Sequence, residues 1–193
     1  LNGQEFLNYA LTSVLNQTYE NWELIFWDNK STDNSAKILK SFKDKRIKYF
    51  LAKKRTVLHK ARNQAIKKTK GKFIAFLDVD DMWSKNKLAL QIPKFKNKKI
   101  GLVYSNFYKY YKPGKKQIAH ASKLPKGKIT GSIIKNYKIG IITVVIRKSF
   151  ISKKMPFDSK YDLISDYDFG LNFSLKYEFD VINKPLAFYR IHK

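Results

Sequence analysis

The chain has 193 residues, 44% of them hydrophobic and 15% aromatic, enough for one α/β domain with a real core and too few for two ordinary ones. No apolar run approaches the roughly 18 residues of a membrane span, no signal peptide is visible, and the absence of cysteine excludes disulfides and thiolate metal sites. The net charge of +25 raises nucleic-acid binding, but 35 Lys against 5 Arg is poor in the bidentate forks that phosphate and base readers favour; biased codon usage plus attraction to an anionic surface is the stronger reading.

Asn2 to Tyr19 places Phe6, Leu7, Ala10, Leu11, Val14 and Leu15 at helical spacing and predicts an amphipathic helix. Trp22 to Trp27 is a short aromatic-rich strand ending at Asp28. In the following turn, Ser31 or Asp33 can cap a helix that carries Ala36, Ile38, Leu39 and Phe42. Ile47 to Leu51 is a second strand, and a basic helix runs from about Val57 to Thr69 with Leu58, Ala61, Ala65 and Ile66 inward. Lys72 to Leu77 is the clearest strand and ends in Asp78-Val-Asp80-Asp81. Beyond Pro93, Ile100 to Tyr111 reads as a long aromatic strand, Lys112-Pro-Gly-Lys115 as a hairpin turn, Ile139 to Ile146 as an apolar strand and Asp166 to Tyr177 as a helix. No repeat or linker divides the chain, so residues 1–193 are expected to form one domain.

Strands alternating with helices predict a mostly parallel sheet covered on both faces, with ligands beyond the carboxyl ends of the strands. Asp28 and the cluster Asp78 to Asp81 both fall at such ends. In an extended strand Asp78 and Asp80 share a face while Asp81 lies off it. Two converging carboxylates suit Mg²⁺ or Mn²⁺, which take oxygen ligands and substrate phosphates. Asp-x-Asp alone is weak evidence, because acidic turns are usually only solvated or capping.

Several segments in one order resemble family 2 glycosyltransferases of the GT-A fold: Asn2-Gly-Gln-Glu-Phe-Leu7 and Ser13 to Tyr19, Trp22-Glu-Leu through Ser35, Ala61-Arg-Asn63, Gly71 to Asp81, Ser165-Asp-Tyr-Asp168, and Leu186 to His192. The resemblance implies a Rossmann-like central sheet flanked by helices, whose first strand is missing from the chain. About 1–98 would bind the nucleotide-sugar and about 99–193 would form the acceptor half. By the same resemblance Asp28 would contact the nucleobase, often uracil, and Arg62 would lie near the base or diphosphate. Asp78 would hold the ribose or the metal, Asp80 the metal that bridges the diphosphate, and His192 would complete that site. Asp166 would be the catalytic base. The implied activity is inverting transfer from a nucleoside diphosphate sugar, UDP-linked, to a glycan or lipid-linked glycan, assisted by Mn²⁺ or Mg²⁺. The implied setting is cytoplasmic, peripheral at an anionic membrane face, with no specific nucleic-acid partner. Lys30 stands where the family often has Gly, Asn29 where it often has a second Asp, and Ser165 where Glu is common.

Each residue also has a plainer role. Asp166 precedes an amphipathic run and can be an N-cap; His192 alone reads as a surface histidine; Asp28 and Asp33 can be turn and cap residues; Arg62 can be a helix-surface charge. Tyr104 to Tyr111 reads as a half-buried strand before a sugar-stacking platform. Two other classes compete: a phosphatase of the haloacid dehalogenase type with Asp78 as nucleophile, and a non-catalytic basic scaffold binding nucleic acid or anionic membrane.

Overall fold

Helix α1 (Leu7–Leu15) starts after the turn in which the Phe6 and Leu7 N–H groups donate to Gly3 O, and it buries Leu7, Ala10, Leu11 and Val14. Strand β1 (Leu24–Asp28) follows, then α2 (Ser35–Ser41), β2 (Ile47–Leu51), α3 (Leu58–Lys68) and β3 (Phe73–Ala75). The chain continues through β4 (Met82–Trp83), α4 (Lys87–Gln91), the long strand β5 (Ile100–Lys112), β6 (Lys115–Ile118), α5 (Thr130–Lys135), β7 (Val145–Arg147), α6 (Ser165–Ser174) and β8 (Glu178–Arg190). This computed structural model describes residues 1–151, 156–158, 160–161 and 164–192.

The sheet is mixed, where strand–helix alternation predicts a mostly parallel one. Strands β1 and β2 pair in parallel as a separate two-stranded sheet, and the larger sheet runs β3-β7-β5-β8-β4 with β6 beside β5. In that sheet, among the described residues, only β5 and β8 are parallel. Parallel pairs need a crossover, and here α2 links β1 to β2 while the connection ending in α6 returns the chain to β8 beside β5. The short strands β7 and β4 run back against their neighbours instead.

Local packing accounts for the other departures. Strand β3 is three residues long because its partner β7 is, Phe73 pairing with Arg147 and Ala75 with Val145. The expected strand Ile139 to Ile146 is interrupted because the Thr143 N–H and hydroxyl both turn back onto Gly140 O, making Ile141–Thr143 a 3₁₀ turn. In α3 the buried set is His59, Ala61, Asn63 and Ile66; Leu58, expected inward, is 57% exposed because the helix starts there and its phase turns His59 in.

The apolar run of β5 reflects burial on both faces. Leu102 and Tyr104 face one cluster, with Phe169 and Phe173 of α6, while Val103 faces another with Val14, Trp83 and Phe95.

Between β1 and β3 the two sheets do not pair. A cavity of about 1480 Å³ occupies the gap, lined by Leu24 to Trp27 on one side, Phe73 to Leu77 on the other, and by apolar residues of α1 and α3. Such a slot fits the expectation that the family's opening strand is missing from this chain. Arg62, Asp78 and Asp80 also line it.

Two substitutions test the local energetics. Lys30 sits at φ 68°, in the left-handed region where an L side chain is strained. Lys30→Gly should therefore raise the unfolding free energy by about 0.5–1 kcal/mol, read by urea denaturation. Lys87 is fully buried with its Nζ 2.7 Å from Gln91 Oε1 and 4.5 Å from the Trp83 ring, and burial lowers its pKa to about 7. Below that pH the folded state carries the whole cost of a buried charge; from about 7 to 10.5 the unfolded chain holds the extra proton, so stability from this group rises with pH. Lys87→Met should be more stable than the wild type by about 1–2 kcal/mol at pH 7, with the advantage shrinking towards pH 10. An advantage independent of pH would assign the effect to packing alone.

Candidate active site

The acidic residues after β3 lie in a turn, not in an extended strand: the Asp81 N–H donates to Asp78 O at 3.2 Å. The turn sends the three carboxylates to different partners, in place of the shared Asp78/Asp80 face expected from strand alternation. The Arg62 Nη2 reaches both Asp78 oxygens at 2.8 Å, and the pair is partly buried, with side chains 13% and 35% exposed. Asp80 Oδ2 meets His192 Nε2 at 2.7 Å, with the imidazole tilted on the Phe6 ring at 5.5 Å. Asp81 is 2% exposed, and its Oδ1 accepts the Arg190 N–H at 2.8 Å.

Burial pushes the Asp81 carboxyl up to about 7; Asp80 and Asp78 add to the rise and the Arg190 N–H opposes it. Arg190 holds the turn a second time, its Nε donating to Asp80 O at 2.8 Å while its guanidinium lies 4.1 Å from the Phe6 ring centre. The end of β8 thereby seats His192 against Asp80, across 112 residues of chain.

Tyr189 precedes Arg190 on β8. Its phenol is raised in pKa first by burial and then by the charges of Asp81, Asp80, Asp78 and Asp166. Asp166 lies in the first turn of α6, its Oδ1 accepting the Tyr167 N–H at 2.9 Å. Its backbone carbonyl accepts the buried Tyr137 hydroxyl at 3.1 Å. The N-cap position of α6 is Ile164, with no side-chain cap, so the N-cap alternative for Asp166 does not hold.

Asp28 stands apart from this group. It is 3% exposed, accepts the Ser31 N–H at 2.7 Å and the Tyr49 hydroxyl at 2.8 Å, and so ties down the turn after β1. Asp33 lies just before Asn34, the N-cap position of α2, which has no side-chain cap; it accepts the Ser35 N–H at 2.9 Å and also the Gln4 N–H. Sequence reasoning gave no role to Asp81, Tyr189, Arg190 or Asn63. Asn63 bonds both ways with the Phe157 backbone, at 2.7 and 3.2 Å. The signal for three of them was present, since they lie inside the Asp-rich and Tyr-Arg-x-His segments.

Among the described residues no group of three or more His, Cys, Asp or Glu side chains is gathered as a ready cation cage. Asp80 and His192 offer one oxygen and one nitrogen donor at a mouth open to ligand. That set suits a divalent cation whose remaining ligands come from water and a diphosphate.

Similarity to known proteins shows the family. The model of the family described as glycosyl transferase family 2 matches residues 1–159, and the chain belongs to that family. The Escherichia coli UDP-Glc:alpha-D-GlcNAc-diphosphoundecaprenol beta-1,3-glucosyltransferase WfgD is 35% identical over 162 residues, covering 83% of this chain and 63% of that protein. The putative teichuronic acid biosynthesis glycosyltransferase TuaG of Bacillus subtilis is 30% identical over 149 residues, 75% of this chain and 58% of that protein. Staphylococcus aureus TarS (residues 1–349), solved with UDP, superposes with a TM-score of 0.80 at 18% identity over 98% of this chain and 58% of its own. The mannosyltransferase PcManGT of Pyrobaculum calidifontis, solved with GDP-Man and Mn²⁺, gives 0.74 at 13% identity over 98% of this chain and 54% of its own. These structures establish the GT-A fold. The chain spans less than two thirds of each of these four proteins. Family membership sets aside the phosphatase reading of Asp78.

Asp81→Asn keeps an acceptor for the Arg190 N–H and removes the buried acid, so at pH 8 it should be at least as stable as the wild type. Asp81→Ala strands that N–H and should lose about 1–2 kcal/mol by urea unfolding. Equal losses in both variants would show that the charge itself is required.

Proposed function

We propose that this domain transfers a sugar from a UDP-linked donor to a glycan or lipid-linked glycan acceptor by a cation-assisted, inverting single displacement at the cytoplasmic face of a membrane. The observation that carries the reading is the acidic turn after β3, where Arg62 holds Asp78 and His192 meets Asp80, with Arg62, Asp78 and Asp80 lining the cavity. The names of WfgD and TarS–UDP support the donor and acceptor classes, and PcManGT with Mn²⁺ supports the cation.

Asp80 and His192 are the residues suited to hold Mn²⁺ or Mg²⁺. A cation there supplies positive charge to the departing diphosphate. The chain's own groups do the rest. Arg62, held in place by Asp78, presents a guanidinium to the base or diphosphate, and Asp78 takes the ribose hydroxyls. Asp28 receives a nucleobase N–H by exchanging its bond with the Tyr49 hydroxyl. Asp166 accepts the proton of the acceptor hydroxyl as that oxygen attacks the anomeric carbon and the carbon–oxygen bond to the diphosphate breaks. Attack opposite the leaving group inverts the centre.

Calorimetric titration of UDP with and without Mn²⁺ tests the donor site. Mn²⁺-dependent binding should weaken at least about tenfold in Asp80→Ala, while Asp166→Asn should bind UDP as the wild type does and lose about 10²–10⁴ in transfer rate. A folded protein that binds no UDP under either condition, or an Asp80→Ala variant that binds undiminished, would overturn the reading.

A further inference from the structure

The charge of this chain is not evenly spread. From Met82 to Phe157 the sequence holds 19 Lys and Arg and not one Asp or Glu. Out of that stretch projects the β5–β6 hairpin, its turn closed by Gly114 at φ 78°. Every residue from Tyr111 to Ile118 is exposed, with Tyr111 at 39% and Ile118 at 48%. Lysine ammonium groups lie over rings at and beside it: Lys116 Nζ is 4.5 Å from the Tyr108 ring centre and 5.4 Å from that of Phe188 on β8, and Lys115 Nζ is 5.6 Å from that of Tyr111. At its base the arm is fixed to the acidic turn. The Ile191 N–H donates to Tyr110 O at 2.9 Å, and Arg190, paired with Tyr110, bonds to Asp80 and Asp81.

We propose that this arm docks the domain on an anionic lipid bilayer. Exposed tyrosine and isoleucine suit the headgroup–acyl boundary, and the exposed Lys112, Lys115 and Lys116 beside them offer ammonium groups to lipid phosphates. The exposed arm contains no arginine, the residue a nucleic-acid partner would favour. The inference rests on the lipid-linked-acceptor reading for its purpose: docking through the arm brings the attached carboxylates to the layer where such an acceptor carries its phosphates.

The test is co-sedimentation of the whole chain with vesicles of phosphatidylcholine alone or mixed with phosphatidylglycerol, at physiological salt. Lys112→Glu/Lys115→Glu/Lys116→Glu should lower partition onto the mixed vesicles by about 10- to 100-fold. The charge-matched set Lys37→Glu/Lys43→Glu/Lys45→Glu, on α2 and the loop after it, should lower it less than about threefold. Tyr111→Ser/Ile118→Ser should also weaken binding, and UDP binding should be unchanged in the arm variants. Equal losses from the two lysine sets would assign binding to diffuse charge, and equal partition onto neutral vesicles would remove the electrostatic part; either overturns the proposal. So would single-stranded RNA that binds more tightly than vesicles and is lost with the arm lysines. Loss of UDP binding in every protein, with the vesicle pattern intact, would instead overturn the donor reading and leave the arm standing.

Discussion

The contact on which the site depends is the double grip of Arg190 on the acidic turn, through its N–H to Asp81 and its Nε–H to Asp80 O. Three carboxylates within four residues repel one another, and a turn holding them needs donors that do not move. Arg190 supplies two from the end of β8, and desolvation of Asp81 takes away part of the negative charge near neutral pH. With β8 locked there, His192 falls beside Asp80. Segments some 110 positions apart thus share one joint.

Buried polar side chains extend this joint through the fold. Gln17 bonds to Ser13 O and Ser84 O and receives the Leu88 N–H, which pins α1 to the segment after β4. Gln91 reaches Val103 O and Thr143 O, and Asn63 secures the backbone at Phe157. Glu23 receives the Lys70 and Gly71 N–H groups just before β3 and pairs with Lys48 on β2. Several segments through which the sequence resembles its family therefore serve as clamps between elements. They hold together the elements that carry the candidate site, and Gln17, Gln91 and Asn63 do so by satisfying buried backbone groups.

Most elements were legible from local pattern. Ile47–Leu51 is a strand with the predicted bounds, and α1, α2 and α6 fall within or beside their predicted runs. Pattern failed where a distant partner decides. Strand β3 has the length of β7, the 3₁₀ turn at Ile141–Thr143 answers to Gly140, and the orientation of Asp78 and Asp80 is fixed by Arg62 and His192, not by strand alternation. Parallel pairing was overestimated because helical crossovers are visible in a sequence, whereas short strands that turn back on a sheet leave little periodic signal. Among the site residues, Asp80 meets His192 and Asp78 meets Arg62, a pairing that the motifs did not suggest. Asp28 is engaged by its own turn and by Tyr49, contacts no periodicity could foretell.

The slot between β1 and β3 has a consequence for how the protein behaves in a tube. Each flanking strand offers one row of backbone donors and acceptors with no strand beside it, and the walls between them are apolar. Bare strand edges around a greasy trough are templates for recruitment of any extended polypeptide, including a frayed segment of a neighbouring copy. Colloidal behaviour of these 193 residues is consequently tied to what fills that trough, and the strong like-charge repulsion of a +25 chain is the force that opposes clumping while it stands open.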